Sequence, residues 1–170
     1  MRIDCGTCVL RPFGAEDAAS IAALANDRDI WLWVRDRFPH PYTLEHAHEF
    51  IAGAMAKKPP QNLAIEVDGH AVGSISIFLQ GDIERVSAEI GYWLGKPYWG
   101  RGIMTPAVAA ATKYAIATFQ LTRVFATLAA SNAGSMRVLE KAGFVREGFM
   151  KQSAIKDGII QDQYMYGFYA

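Results

Sequence analysis

The stretch Tyr98-Trp99-Gly100-Arg101-Gly102-Ile103-Met104-Thr105 joins a predicted strand to a predicted helix, and the interpretation of the whole chain starts from it. Backbone amides at the N-terminus of a helix point toward incoming anions, and the helix dipole favours negative charge there. Glycines allow a tight turn and let a phosphate approach without a Cβ in the way. Arg101 adds a charged side chain suited to phosphate oxygens. The stretch therefore predicts a phosphate site at a helix N-terminus.

This glycine loop differs from the two common phosphate-binding motifs. It lacks the lysine followed by Ser or Thr that a Walker A motif requires. It is not the dinucleotide motif GxGxxG either, because Thr105 takes the place of the third glycine and the loop follows several predicted strands. Taken alone, the loop fits a phosphate site and a plain tight turn before a helix equally well.

The composition is that of a single globular domain spanning residues 1–170, with 51% hydrophobic residues to supply a core. Seventeen basic residues balance seventeen acidic ones, which gives no general attraction to nucleic acid or to an anionic membrane. No run reaches the roughly 18 apolar residues of a membrane span. Met1-Arg2-Ile3-Asp4 lacks the apolar core of a signal peptide. We expect a cytoplasmic protein without a membrane partner.

The two cysteines, Cys5 and Cys8, form a CxxC motif that fits a redox pair, half a zinc site or two inert thiols. Zinc normally takes four ligands, and no second CxxC or matching His pair follows. A redox CxxC usually opens a helix, whereas these residues border a predicted strand. The sequence favours inert thiols that pack as small hydrophobic groups, and it predicts no metal site.

The order of predicted elements indicates an α/β (α+β) fold with a mixed sheet of seven strands. Apolar alternation marks the strands, Thr43 is placed as a helix N-cap, and Asp68-Gly69 is a strong turn signal. Another Asp-Gly pair, Asp157-Gly158, divides the two closing strands. Before these two strands, the sequence predicts strands at 7–11, 63–67, 72–79, 86–94 and 123–128, and helices at 16–26, 43–56, 105–119 and 132–142.

Three further motifs occur in order with the glycine loop: Leu10-Arg11-Pro12, Ala88-Glu89-Ile90-Gly91-Tyr92-Trp93-Leu94, and Asn132-Ala133-Gly134-Ser135 continuing to Leu139-Glu140-Lys141-Ala142-Gly143-Phe144. Together they resemble the GNAT N-acetyltransferases over almost the entire chain. The resemblance is strongest to the RimJ/RimL-like branch, which acetylates the N-termini of ribosomal proteins. It implies a GNAT fold in which two splayed central strands hold acetyl-CoA.

The resemblance also implies a set of cofactor-binding residues. The pyrophosphate would bind the loop amides, and the pantetheine arm would lie between the splayed strands. The implied residues are Ile90, Tyr92, Trp93, Leu94, Trp99, Gly100, Arg101, Gly102, Ile103, Met104, Thr105, Asn132 and Ser135. One departure from the family matters: Leu139 stands where many members carry a tyrosine that protonates the leaving thiolate.

Two residues are candidates for the acid–base chemistry. Glu89 is the candidate base, acting through water, because the family places a carboxylate at this point of the strand. An ordinary solvated or salt-bridged glutamate fits the position equally well. In the absence of the tyrosine, the role of donor to the thiolate is either vacant or taken by Ser135. A role in the first turn of its helix is the alternative for Ser135.

The resemblance implies that the acceptor binds the segment between the first two helices, 30–43, and the loop that joins the last two strands, 155–160. Trp31, Trp33, Arg35 and Phe38 are the candidate substrate-binding residues, unless they cover the core or a dimer contact. The sequence predicts an N-acetyltransferase acting on a protein or peptide N-terminal α-amine or on a small-molecule amine. A catalytically weak acetyl-CoA-binding sensor or interaction module is the alternative, and both a monomer and a homodimer fit the sequence.

Overall fold

Alternating apolar side chains build eight strands into one mixed sheet in the computed structural model, which describes residues 1–170. The spatial order is β1-β2-β3-β4-β5-β6-β8-β7. Neighbouring strands are antiparallel except for β5 and β6, which are parallel. The strands are β1 Ile3–Asp4, β2 Val9–Pro12, β3 Asn62–Val67, β4 His70–Leu79, β5 Ser87–Leu94, β6 Arg123–Ala129, β7 Val145–Lys156 and β8 Ile159–Tyr169.

The predicted α/β fold with a mixed sheet is confirmed, but the predicted number of seven strands is wrong. The additional strand is β1, which pairs with β2 through only two residues and is too short to show a pattern of alternation. Its turn also moves the start of β2 from the predicted Thr7 to Val9. The Cys5 amide donates to the Cys8 carbonyl at 2.9 Å, so the CxxC motif forms the turn of a hairpin.

Five helices flank the sheet: α1 Ala18–Ala25, α2 Arg28–Trp31, α3 Leu44–Ala56, α4 Met104–Phe119 and α5 Ala133–Lys141. The predicted N-cap of α3 is confirmed. Thr43 Oγ1 accepts a hydrogen bond from the His46 amide at 3.2 Å, and His46 Nδ1 accepts one from the Thr43 amide at 3.1 Å. This reciprocal pair satisfies two backbone donors at the start of the helix.

The alternation along the strands divides the core into two layers, one on each face of the sheet. On one face, α4 and α5 pack over aliphatic residues such as Leu63, Ile65 and Val72. On the other, α1 and α3 pack over smaller residues such as Ala64 and Ala71. The large residues of the first layer make it the principal core, because each such side chain contributes roughly 1.5–3 kcal/mol on burial.

The two central strands separate along their length. In the parallel pair β5 and β6, the register begins with Ser87 opposite Arg123 and ends with Glu89 opposite Phe125. Both strands continue, β5 to Leu94 and β6 to Ala129, but without pairing to each other. The sheet therefore opens immediately after Glu89, and the predicted splay of the central strands is confirmed.

A largely buried ion-pair cluster joins β2 and β3 to the turn that precedes α1. The Arg11 guanidinium binds both carboxylate oxygens of Asp17, at 2.7 and 2.8 Å, and also pairs with Glu66. Arg2 binds Glu66 from the other side. Hydrogen bonds from Arg2 and Arg11 lower the pKa of Glu66 to about 2. The carboxylate therefore stabilises the fold in its ionised form.

This cluster predicts acid-sensitive stability. Because the pKa of Glu66 is depressed from 4.5 to about 2, its contribution to the stability of the fold is fully present above pH 4.5. That contribution is lost as the pH falls toward 2. We expect Glu66→Gln to be less stable than the wild type at neutral pH and to lose less of its free energy of unfolding on acidification. Urea denaturation from pH about 7 to about 3 measures this dependence.

Glu84→Gln is the control, because Glu84 is exposed and has no ion pair. Its pH dependence should match that of the wild type. Parallel pH profiles for Glu66→Gln and the wild type would contradict the role of the cluster.

Candidate active site

The divergence of β5 and β6 opens into a cavity of about 1070 Å³. Its walls come from β4, β5 and β6, from the segment between α2 and α3, from one side of α3, from the start of α5, and from the β7–β8 hairpin. A volume of this size accommodates an extended ligand together with part of a second one. The predicted site residues that line the cavity are Trp33, Arg35, Phe38, Glu89, Ile90, Tyr92, Trp93, Asn132 and Ser135.

The glycine loop lies beyond the end of β5 and is not part of the cavity wall, and Leu94 is not part of it either. Gly100 and Gly102 have φ values of +70° and +71°, a conformation that favours glycine over other residues. None of the amides from Gly100 to Ile103 donates a hydrogen bond within the chain. Met104 and Thr105 add the unpaired amides of the first turn of α4. This cluster of free donors at a helix N-terminus is suited to an anion.

Neighbouring side chains hold the loop in place. Trp99 Nε1 donates a hydrogen bond to the Leu94 carbonyl at 2.7 Å, which ties the loop to the last residue of β5. The guanidinium of Arg101 lies 5.2 Å from the centroid of the Tyr98 ring. On the other side, Thr7 Oγ1 donates to the Gly102 carbonyl at 3.3 Å. The loop is therefore braced from both β5 and the N-terminal hairpin.

Glu89 is the last residue of β5 that pairs with β6, so it stands where the strands separate. Its carboxylate forms an ion pair with Arg35, from the segment between α2 and α3. Only 18% of the Glu89 side chain is exposed, whereas 55% of Arg35 is. Glu89 is therefore salt-bridged, as the structural alternative expected, and it also lies in the cavity wall, as a catalytic base would require.

Tyr92 and Ser135 connect β5 to the first turn of α5. Their hydroxyl oxygens are 2.6 Å apart, a short hydrogen bond between two part-buried groups. Burial raises the pKa of Tyr92 to about 12, although the hydrogen bond with Ser135 acts in the opposite direction. The phenol is therefore protonated at neutral pH.

The capping alternative for the Ser135 hydroxyl does not agree with the structure. Asn132 caps α5, because its Oδ1 accepts the Ser135 amide at 3.1 Å. This leaves the serine hydroxyl free to bind Tyr92. Both residues were predicted as cofactor contacts. The sequence gave no sign of the hydrogen bond between them, because it joins positions 43 residues apart. Leu139 is fully buried in the core and supplies no proton donor.

The predicted acceptor residues divide into two groups. Trp33, Arg35 and Phe38 line the cavity, and Phe38 also packs edge-on against Trp93, at 5.6 Å between ring centroids. Trp31 does not line it. Its ring instead stacks on His40 at 5.4 Å and lies 3.9 Å from Lys156 Nζ. The structure therefore places Trp31 in a packing role between two segments.

Further polar residues line the cavity beside the candidate substrate-binding residues. Asp36 and Arg37 belong to the same segment between α2 and α3, which was expected to contact the acceptor. Lys156 lies within the stretch 155–160 that was expected to contact the acceptor; it lines the cavity and forms an ion pair with Asp36 at 2.9 Å. Glu49 contributes a carboxylate from α3.

The remaining sequence features lie away from the cavity. Both thiols of the CxxC motif are free, and Cys8 is buried with its sulfur 3.9 Å from the Ile103 carbonyl. No group of three or more His, Cys, Asp or Glu side chains is placed to hold a metal ion. None of the helices is both long enough and apolar enough to cross a membrane.

The chain belongs to the GNAT acetyltransferase family, because the family model described as an acetyltransferase (GNAT) domain matches residues 8–145. This confirms the resemblance on which the sequence interpretation depended. The solved structure of Mycobacterium smegmatis RimJ in complex with CoA-disulfide has the same fold, with a TM-score of 0.82 at 29% identity. That similarity covers 99% of this chain and 85% of RimJ.

Two relatives from Bacillus subtilis (strain 168) match part of the chain. The probable N-acetyltransferase YjcK is 40% identical over 97 residues, covering 56% of this chain and 52% of YjcK. The putative ribosomal N-acetyltransferase YdaF is 35% identical over 99 residues, covering 58% and 54% respectively. The chain thus matches about half the length of these two relatives.

The Tyr92–Ser135 hydrogen bond predicts energetic coupling between the two side chains. In a double-mutant cycle of Tyr92→Phe and Ser135→Ala, we expect a coupling free energy of about 1 kcal/mol in the free energy of unfolding. Each single variant leaves one part-buried hydroxyl without its partner, whereas the double variant removes both. Urea denaturation of the four proteins gives the coupling.

A matched cycle of Tyr92→Phe with Ser153→Ala is the control, because Ser153 bonds to Met150 and Gln163 and does not contact Tyr92. The effects of these two substitutions on the free energy of unfolding should be additive. If the Ser135 cycle is also additive, the two hydroxyls are not hydrogen-bonded in solution.

Proposed function

We propose that the protein transfers the acetyl group of acetyl-CoA to a primary amine, with a protein or peptide N-terminal α-amine as the favoured acceptor and a small-molecule amine as the next. The observation that carries the proposal is one arrangement at the end of β5. A loop of free amides at the N-terminus of α4 is tied to the end of β5, and β5 lines a cavity that contains Glu89 and the Tyr92–Ser135 pair.

The residues of this arrangement fit acetyl-CoA, which would supply an activated thioester of the acetyl group. The free amides of the glycine loop would bind the pyrophosphate, and Arg101 would add a positive charge. Ile90, Tyr92, Trp93, Leu94 and Asn132 would contact the pantetheine arm where β5 and β6 separate. The RimJ structure, which contains CoA-disulfide, supports this choice of cofactor.

Glu89 would act as the general base. An ammonium must lose a proton before it can attack a carbonyl carbon, and a carboxylate in the cavity wall can accept that proton through a water molecule. An α-amine with a pKa of about 8 is partly neutral at pH 7, whereas a lysine amine with a pKa of about 10.4 is almost entirely charged. The modest basicity of a carboxylate therefore suits an α-amine better than a lysine side chain.

Ser135 and Tyr92 would protonate the departing thiolate together. The serine hydroxyl would pass its proton to the sulfur and take the proton of the Tyr92 hydroxyl in its place, which is available because the pKa of Tyr92 is about 12, and the tyrosinate would then regain a proton from water. This pair would take the place of the tyrosine that Leu139 replaces. The short distance between the two hydroxyls holds the serine in one orientation.

A catalytically weak module that binds acetyl-CoA is the second candidate. It is favoured by the ion pair of Arg35 with Glu89, which keeps the candidate base occupied, and by the burial of Leu139. The relative YdaF, whose name refers to a ribosomal N-acetyltransferase, supports catalysis and a ribosomal-protein N-terminus as an acceptor.

Thiol release from acetyl-CoA separates the two candidates. The protein is incubated with N-terminal peptides, polyamines and small amines, and free coenzyme A is measured alongside cofactor affinity by calorimetry. We expect thiol release that depends on the amine and is highest with peptides. Tight cofactor binding with background thiol release for every amine would establish the binding module instead.

The conformation of the glycine loop predicts the effect of a Cβ at Gly102. Because Gly102 has a φ of +71°, Gly102→Ala strains the loop by roughly 1–2 kcal/mol. We expect coenzyme A to bind about 5- to 30-fold more weakly, as measured by calorimetry. Gly53→Ala, inside α3 and with open space around its Cβ, is the control and should bind normally. Unchanged binding by Gly102→Ala would contradict the role of the loop.

The role of Glu89 predicts a rate loss that depends on pH. With an N-terminal peptide, Glu89→Gln should lower kcat/KM by at least about tenfold at pH 7 and by less at pH 9, because the α-amine is then largely neutral. Glu49→Gln removes another carboxylate of the same cavity and should have little effect. An unchanged rate and pH profile for Glu89→Gln would eliminate Glu89 as the base.

A further inference from the structure

The segment between α2 and α3 brings three consecutive charged residues into the wall of the cavity, and two of them are paired. Arg35 forms an ion pair with Glu89, and Asp36 forms one with Lys156. Arg37 has neither an ion pair nor a hydrogen bond. Its charge is therefore available to a ligand in the cavity.

Arg37 is nevertheless held in a defined place. Its guanidinium carbon lies 4.1 Å from the centroid of the Phe78 ring, a close cation–π contact. Phe78 is directly opposite Glu89 in the register of β4 and β5. The contact with Phe78 therefore holds Arg37 over the direct cross-strand neighbour of the candidate base.

The contact with the Phe78 ring leaves the N–H groups of the Arg37 guanidinium free to donate hydrogen bonds to a ligand. Arginine donates its five N–H groups in the plane of the guanidinium, and this planar fork matches a carboxylate. No protein acceptor takes these groups in Arg37. A carboxylate on a bound acceptor would find a fixed cation close to the position where the acceptor amine meets Glu89.

We infer that Arg37 is an anion subsite for the acceptor, so that the preferred acceptor carries a carboxylate close to its reactive amine, as in a peptide with an acidic second residue. The inference rests on the proposed function and adds the class of acceptor. The ammonium of such a peptide would replace Arg35 as the partner of Glu89, while its carboxylate would bind Arg37. The positive and negative groups of the acceptor would thus match the negative charge of Glu89 and the positive charge of Arg37 in the cavity wall.

Lys57 is the natural comparison for Arg37. It also lines the cavity and also has no ion pair, but it lies at the end of α3. Lys156 is less suitable, because Asp36 and the ring of Trp31 already occupy its ammonium. Replacing Lys57 removes the same charge from the same cavity without touching the Phe78 contact.

Two amidated peptides, Ser-Asp-Gly-Ala and Ser-Asn-Gly-Ala, test the subsite because they differ only in the carboxylate. We expect the wild type to prefer the aspartyl peptide by roughly tenfold in kcat/KM, mainly through KM. Arg37→Gln should abolish the preference, Arg37→Lys should restore part of it, and Lys57→Gln should keep it. Added salt should reduce it, because the site is exposed.

Calorimetry of both peptides with the protein saturated by coenzyme A gives a second readout that needs no turnover. Tighter binding of the aspartyl peptide, lost in Arg37→Gln, supports the subsite even without thiol release, and that combination would contradict the proposed activity alone. Equal binding of the two peptides, no binding of either, or a preference that persists in Arg37→Gln would overturn the inference.

Discussion

The separation of β5 and β6 after Glu89 is the constraint on which the site depends. Where two parallel strands stop pairing, the backbone groups that face each other lose their partners and a wedge opens in the middle of the sheet. Continuous pairing would leave no such space. The wedge places Glu89 at its apex and Tyr92 on one wall. The glycine loop comes shortly after the end of β5 and leads into α4. The cavity is therefore a consequence of this one break in strand pairing, and the loop lies just beyond it in the chain.

Tertiary contacts keep the wedge open on both faces of the sheet. On one face, the hydrogen bond between Tyr92 and Ser135 connects α5 to the part of β5 that has separated from β6. On the other, Phe38 packs against Trp93, and Arg35 reaches Glu89. Each side chain in this frame is fixed by a partner from another element. Such fixed positions are what acid–base chemistry requires, because misplacement by about 1 Å can cost roughly a hundredfold in rate.

Local signals in the sequence were sufficient for most of the fold. Thr43 as an N-cap, the turn at Asp68-Gly69 and the glycine loop depend on interactions within a few residues, so a single sequence contains them. Strand β1 was missed because two residues show no period. The pairings of Arg35 with Glu89 and of Tyr92 with Ser135 join residues 54 and 43 positions apart. Only the folded chain brings such partners together, which is why the site was predicted as a set of residues without its internal contacts.

The central claim is that one ligand spans the glycine loop and the wedge between β5 and β6. Hydrogen–deuterium exchange with and without coenzyme A tests it most directly, because it reports on individual stretches of backbone. We predict that coenzyme A slows exchange in two places, the amides from Gly100 to Thr105 and the part of β5 that no longer pairs with β6, from Ile90 to Leu94. Saturating coenzyme A that protects neither stretch, or protects only amides elsewhere in the chain, would contradict the claim.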